Sequence, residues 1–126
     1  MQSLSVVMPA YNEEANIEGM LDEVLAAMAS RCADLEVVVV NDGSKDRTGE
    51  VVQSYSQKHP QVRLVEHERN KGYGAAVFTA LTSATRDHVF WTDSDRQFVL
   101  EEIDRLAPYA EEFDLVVGYR IARYAL

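Results

Sequence analysis

Four consecutive valines, Val37 to Val40, constrain this chain more than any other feature, and they run straight into the polar turn Asn41-Asp42-Gly43-Ser44. A strand with one wet face alternates apolar and polar residues, whereas an unbroken β-branched run suits a strand covered on both faces, as in parallel sheets. The pattern predicts such a strand over Leu35 to Val40. Upstream, Leu4-Ser5-Val6-Val7-Met8 reads as a first buried strand closed by Pro9. Between the two, Ile17, Met20, Leu21, Val24, Leu25 and Met28 recur at three- and four-residue spacings. That spacing predicts an amphipathic helix from Glu13 to Ala29, with Asn12 as N-cap and Glu13 and Glu14 at its positive end.

The alternation continues downstream. Thr48 to Lys58 reads as a helix, Val62 to Val65 as a third strand, Gly72 to Ala84 as an alanine-rich helix and Val89 to Thr92 as a fourth strand. Glu101 to Glu112 follows as a helix and Leu115-Val116-Val117 as a last strand before Gly118. Repeated β-α order implies an α/β fold: a Rossmann-like three-layer α/β/α arrangement with a mostly parallel sheet and right-handed crossovers. No internal repeat or linker divides the 126 residues, so one domain is expected.

Charge narrows the partners. Lys and Arg total 12 against 21 Asp and Glu, a net charge of -9, which disfavours a nucleic-acid surface. An acidic chain that binds a phosphate-bearing ligand needs local cations or a divalent metal. The single Cys32 is compatible with a reducing compartment, and no apolar run reaches the length of about 18 residues that a membrane span requires. A soluble chain in the cytoplasm is the resulting expectation.

Ligands on open α/β sheets gather beyond the carboxyl ends of the strands, and each of the four predicted strands is followed by a polar cluster. Asp93-Ser94-Asp95 places two carboxylates one residue apart. Such oxygens suit Mg²⁺ or Mn²⁺, with Gln97 as a further oxygen and substrate phosphates completing the shell; the alternative is that both aspartates cap the next helix. Asp42 is either a carboxylate that accepts hydrogen bonds from a base or ribose, or the first residue of an ordinary Asx-turn with Gly43 at positive φ. Tyr11 and Glu13 can stack on and read a base, although Glu13 also complements a helix dipole. Lys71, beside Gly72 and Gly74, lacks the full phosphate-loop pattern and is either a point charge with close backbone amides for an anion or a solvated lysine in a glycine-permitted turn, and Arg120 is a candidate phosphate partner or a surface arginine. His59, His67 and His88 show no metal-ligand spacing and receive no role.

In this order and spacing, Val7-Met8-Pro9-Ala10-Tyr11-Asn12-Glu13-Glu14, Val39-Val40-Asn41-Asp42-Gly43-Ser44-Lys45-Asp46, Asn70-Lys71-Gly72-Tyr73-Gly74-Ala75-Ala76 and Thr92-Asp93-Ser94-Asp95-Arg96-Gln97-Phe98 resemble family 2 glycosyltransferases of the GT-A fold. The likeness is to the branch of dolichol-phosphate mannosyltransferases and polyprenyl-phosphate sugar transferases. The resemblance implies a UDP- or GDP-sugar donor, with Pro9, Ala10, Tyr11 and Glu13 lining the base and ribose pocket and Asp42 on the nucleoside. It also implies Lys71 near base or phosphates, Ser94 near the ribose, Arg120 facing the diphosphate, and Asp93, Asp95 and Gln97 on the metal.

The acceptor implied is a polyprenyl phosphate at the cytoplasmic membrane face. Asn41 stands where the family often has Asp. Family members continue for roughly another hundred residues or more, so this chain is expected to be the nucleotide-sugar-binding part, without an identifiable catalytic base. It would then bind without turning over, and a sheet lacking its later half is expected to self-associate through an uncovered edge. A receiver-like signalling domain needs an acidic cluster after the first strand, where this chain has Pro9-Ala10-Tyr11.

Overall fold

The valine run lies between two layers of helices. In the computed structural model, which describes residues 2–96 and 99–118, Val37 to Val40 are fully buried within strand β2 (Asp34–Asp42). Val37 and Val39 pack with Val6 and Met8 of β1 (Ser3–Ala10) against α1 (Ile17–Met28) and α2 (Thr48–Lys58). Val38 and Val40 turn to the opposite face, where they meet Val7 and the small residues Ala76 and Ala80 of α3 (Tyr73–Ser83). Burying a valine contributes about 1.5–3 kcal/mol, so a polar residue at any of the four positions would cost one layer its contact.

Strands β3 (Val62–His67) and β4 (His88–Trp91) complete a four-stranded sheet of order β3-β2-β1-β4. Every pairing is parallel, as the β-α alternation predicts. The chain winds outward from β1 to β3 and then returns to lay β4 on the other side of β1. That reversal opens a crevice beyond the carboxyl ends of β1 and its neighbours.

Several boundaries differ from the sequence reading, each for a local reason. Strand β1 continues through Pro9 to Ala10, paired with Val40 and Asn41. The Val7 carbonyl accepts the Thr92 N–H on the β4 side, so Pro9, two residues on, turns its donorless nitrogen to the side where β4 has ended. Helix α1 begins at Ile17 rather than Glu13, and Asn12 is not its cap. Asn12 has φ 53°, and the N–H groups of Asn12, Glu13 and Glu14 donate to Ser44, Thr48 and Asp46 instead of opening a helix.

The segment expected as one helix from Glu101 to Glu112 is a 3₁₀ turn (Leu100–Glu102), a single helical turn α4 (Ile103–Leu106) and another 3₁₀ turn (Ala107–Tyr109). Pro108 lacks an N–H and its ring excludes the carbonyl four residues back, which ends the helix. Leu100 and Ile103 still reach the α1 side of the core. Leu115-Val116-Val117 is not a strand: Leu115 and Val117 are exposed and no strand among the described residues pairs with the triplet. An apolar triplet becomes a strand only where a sheet edge takes up its backbone groups.

Candidate functional site

One cleft of about 390 Å³ lies across the strand ends. Pro9 and Ala10 reach it from β1, Tyr11 and Glu13 from the following turn, and Asp42 from the last residue of β2. Asn70 and Gly72 come from the β3–α3 loop, Tyr73 and Ala76 from the first turn of α3, and Asp93, Ser94 and Asp95 from the loop after β4. Residues more than eighty positions apart in sequence thus share one wall.

The turns after β1 and β2 are laced together. The Asn12 N–H donates to Ser44 Oγ at 2.9 Å and the Lys45 N–H returns to Asn12 Oδ1 at 2.8 Å. The Glu13 N–H donates to Thr48 Oγ1 at 2.8 Å, so the segment carrying Tyr11 and Glu13 is held by side chains from the neighbouring loop. Asn41 Oδ1 accepts the Ser44 N–H at 3.1 Å, and Gly43 has φ 65°. The side chain that closes this turn is therefore that of Asn41 and not of Asp42, whose carboxylate is left for the cleft side of the loop. A Cβ on Gly43 would lie 2.3 Å from the Arg69 carbonyl carbon and the Asn70 nitrogen, so this glycine also permits the β3–α3 loop to close over β2.

Asp42 is buried and densely bonded. Its Oδ1 accepts the Lys71 N–H at 2.8 Å and lies 2.8 Å from His67 Nδ1, while Oδ2 accepts the Gly72 N–H at 3.1 Å. A carboxylate has about four acceptor sites, so one remains, on Oδ2. Burial alone would raise the Asp42 carboxyl, but His67 and the two backbone donors outweigh it and hold the group below the usual carboxylate range. Lys71 contributes its backbone here; its side chain is exposed and does not line the cleft.

Asp93 is exposed and Ser94 buried. The next helical segment begins after Val99 with no side-chain cap, so neither aspartate serves as its N-cap. The Tyr73 hydroxyl donates to Asp93 Oδ1 at 2.7 Å. Burial first, and then this bond, raise the Tyr73 phenol to about 12. On the far side of the loop, Arg96 has φ 64° and donates through Nε to Glu23 of α1 at 2.9 Å. Its guanidinium lies over Gly19, where a Cβ would come within 2.6 Å of Nη1. Among the described residues no group of three or more His, Cys, Asp or Glu is placed to hold a metal by itself. Asp93 and Asp95, both lining the cleft, are oxygen donors of the kind a hard cation takes when ligand oxygens complete its shell. Gln97 and Arg120 lie outside the described residues.

The sequence pattern assigns no role to His67, Tyr73 or Arg96. His67 is the last residue of β3 in register with Asp42, and register is a property of strand pairing that no local motif carries. His59 instead stacks on Tyr55, with ring centroids 4.3 Å apart, and His88 Nδ1 has no hydrogen-bond partner among the described residues. Among the described residues no helix is long and apolar enough to cross a membrane.

Residues 5–125 match the family model described as glycosyl transferase family 2. The chain is 40% identical over 131 aligned positions to the dolichyl-phosphate beta-glucosyltransferase of Drosophila melanogaster, covering 93% of this chain and 40% of that protein. A mannosyltransferase of Pyrobaculum calidifontis, solved in complex with GDP-Man and Mn²⁺, superposes with TM-score 0.69 at 33% identity, covering 81% of this chain and 30% of that one. S. aureus TarS in complex with UDP superposes with TM-score 0.68 at 31% identity, covering 89% and 32%. The chain spans between 31% and 41% of the length of the curated relatives it matches.

Proposed function

The chain belongs to glycosyl transferase family 2, and from that premise we propose that it is the donor-binding part of an enzyme that transfers a sugar from UDP or GDP to a lipid phosphate. The observation that carries this reading is the convergence of Asp42 and Asp93-Ser94-Asp95 on a single cleft. Under it, the whole chain is one nucleotide-sugar-binding domain.

The base lies between Pro9, Ala10 and Tyr11, with Glu13 beside it. The remaining acceptor site of Asp42 takes an N–H from an imide-type edge, such as N3–H of uracil or N1–H of guanine. A cytosine or adenine presents a bare ring nitrogen at the corresponding position and leaves that acceptor unmatched. Ser94 meets the ribose. Asp93 and Asp95, with Gln97, hold Mg²⁺ or Mn²⁺, which when bound neutralises the diphosphate and stabilises it as leaving group. Lys71 and Arg120 are the cations assigned to the phosphates. The dolichyl-phosphate relative and the family's lipid-phosphate branch support a polyprenyl phosphate acceptor, in which case transfer takes place at a membrane surface; the free thiol of Cys32 suits its cytoplasmic side.

A narrower reading is that this chain binds donor without transferring it. Calorimetric titration of UDP and GDP, with Mn²⁺ and with chelator, tests the site in either case. The expected result is binding of one nucleotide that requires metal and disappears in Asp95→Ala. No binding under any condition would mean that the piece keeps the fold without the function, and sugar transfer by the isolated chain would overturn the binding-only reading.

A further inference from the structure

We propose that His67 is a positioning residue for the base-reading carboxylate: held in place by Thr79, it joins the Lys71 N–H in filling Asp42 Oδ1 and leaves Oδ2 as the one oxygen offered to the cleft. The inference rests on the donor-binding reading above and adds to it a residue outside the cleft wall.

Its basis is a buried chain of hydrogen bonds running from helix to strand to cleft. The side chains of His67 and Asp42 are only 7% and 4% exposed, so water cannot substitute for either. Parallel register sets them side by side at the ends of β3 and β2. His67 Nδ1 lies 2.8 Å from Asp42 Oδ1, and Nε2 lies 2.8 Å from Thr79 Oγ1, on α3. An ionised carboxylate only accepts, so Nδ1 carries the hydrogen. The Thr79 hydroxyl, bonded at the other nitrogen, fixes the plane of the ring and with it the direction of the Nδ1–H.

The consequence falls on the free rotation of the carboxylate. With His67 in place, Oδ1 receives two donors and Oδ2 one, so the two oxygens are inequivalent and the open acceptor site faces the ligand. Without His67 each oxygen keeps one backbone donor, and the group loses the bond that distinguishes them. Base recognition then weakens while the opposite end of the site, at Asp93 and Asp95, is untouched.

Nucleotide and inorganic pyrophosphate separate the two ends. Mn²⁺-dependent binding of the preferred nucleotide is expected to weaken about tenfold in His67→Phe, the loss typical of a hydrogen bond to a charged group. Binding of Mn²⁺-pyrophosphate should stay within about twofold, because pyrophosphate has no base. His67→Asn, whose amide N–H can stand where Nδ1–H stood, should recover most of the nucleotide affinity. Unchanged nucleotide binding in His67→Phe would overturn the proposal, and equal weakening of nucleotide and pyrophosphate would reduce His67 to a structural residue. Should His67→Phe fail to fold, Thr79→Val carries the same comparison with a smaller expected loss. A ligand-free arm decides independently of the donor-binding reading: ¹⁵N NMR should find His67 Nδ1 protonated, and a bare Nδ1 would sink the relay even if nucleotide binds. Failure of the wild-type chain to bind any nucleotide with Nδ1 protonated would instead count against the donor-binding reading alone.

Discussion

The Tyr73 hydroxyl bridges α3 to the loop after β4 through its 2.7 Å bond to Asp93 Oδ1. It occupies one oxygen of the carboxylate and so orients the other. Tyr73→Phe removes that constraint while keeping the ring. A hydrogen bond of this kind is worth about 1 kcal/mol or somewhat more, so Mn²⁺-dependent nucleotide affinity should fall about fivefold with little change in melting temperature, as calorimetry and a thermal melt would read. Affinity equal to wild type would mean that Asp93 is placed by its own loop.

Arg96 and Glu23 give a separate test on the other flank of the same loop. Gly19→Ala adds a Cβ within 2.6 Å of Arg96 Nη1, the flexible end of a side chain, so the guanidinium moves aside at low cost. Gly19 lies in the first turn of α1, where alanine also favours helical geometry over glycine by up to about 1 kcal/mol. Overall stability should therefore hold or rise while amide exchange at residues 93–96 quickens, a split that hydrogen-exchange mass spectrometry can resolve. Slower or unchanged exchange there would show that the pairing with α1 does not restrain the loop.

Gly43→Ala should behave in the opposite way. Positive φ and a 2.3 Å approach to backbone atoms of Arg69 and Asn70 leave nothing flexible to yield. A loss of about 3 kcal/mol or more is expected, measured by urea denaturation, and the cleft should lose its ligand because the loops that carry Asp42 and Asn70 separate.

Glu36 predicts an acid dependence remote from the cleft. It is buried; burial would raise its carboxyl, but bonds from Ser5, the Thr85 N–H and hydroxyl, and Arg63 lower it from 4.5 to about 2. A depressed carboxyl contributes stability that is fully present above its unfolded value and is lost as pH falls through the folded one. Glu36→Gln should thus cost up to about 3 kcal/mol at neutral pH, and the gap to wild type should close between about pH 4.5 and pH 2. A gap that stays constant with pH would assign the loss to packing alone.

What the sequence made legible follows from what is local. The valine run specified a two-sided strand because side-chain period is intrinsic to a strand, and four polar clusters after four strands could be assigned to one edge because parallel strands end together. Asn12 was misread because a cap and a tight turn use the same residue types, and only contact with Ser44 and Lys45 distinguishes them. Leu115 to Val117 was misread because its β propensity says nothing about whether an edge is available. His67 and Tyr73 could not be found by spacing: their partners lie 25 and 20 residues away and are brought to them by strand register and helix placement.

Strand β1, the first of the four strands in chain order, pairs with β4, the last of the described sheet, and the cleft needs side chains from β1 and from the loop that follows β4. No shorter N-terminal portion of the chain can contain the complete cleft. A ligand that grips both ends of it stabilises the closed sheet and none of the partial sheets that lack β4, which makes nucleotide a pull on closure of this sheet rather than a template for its first pairings.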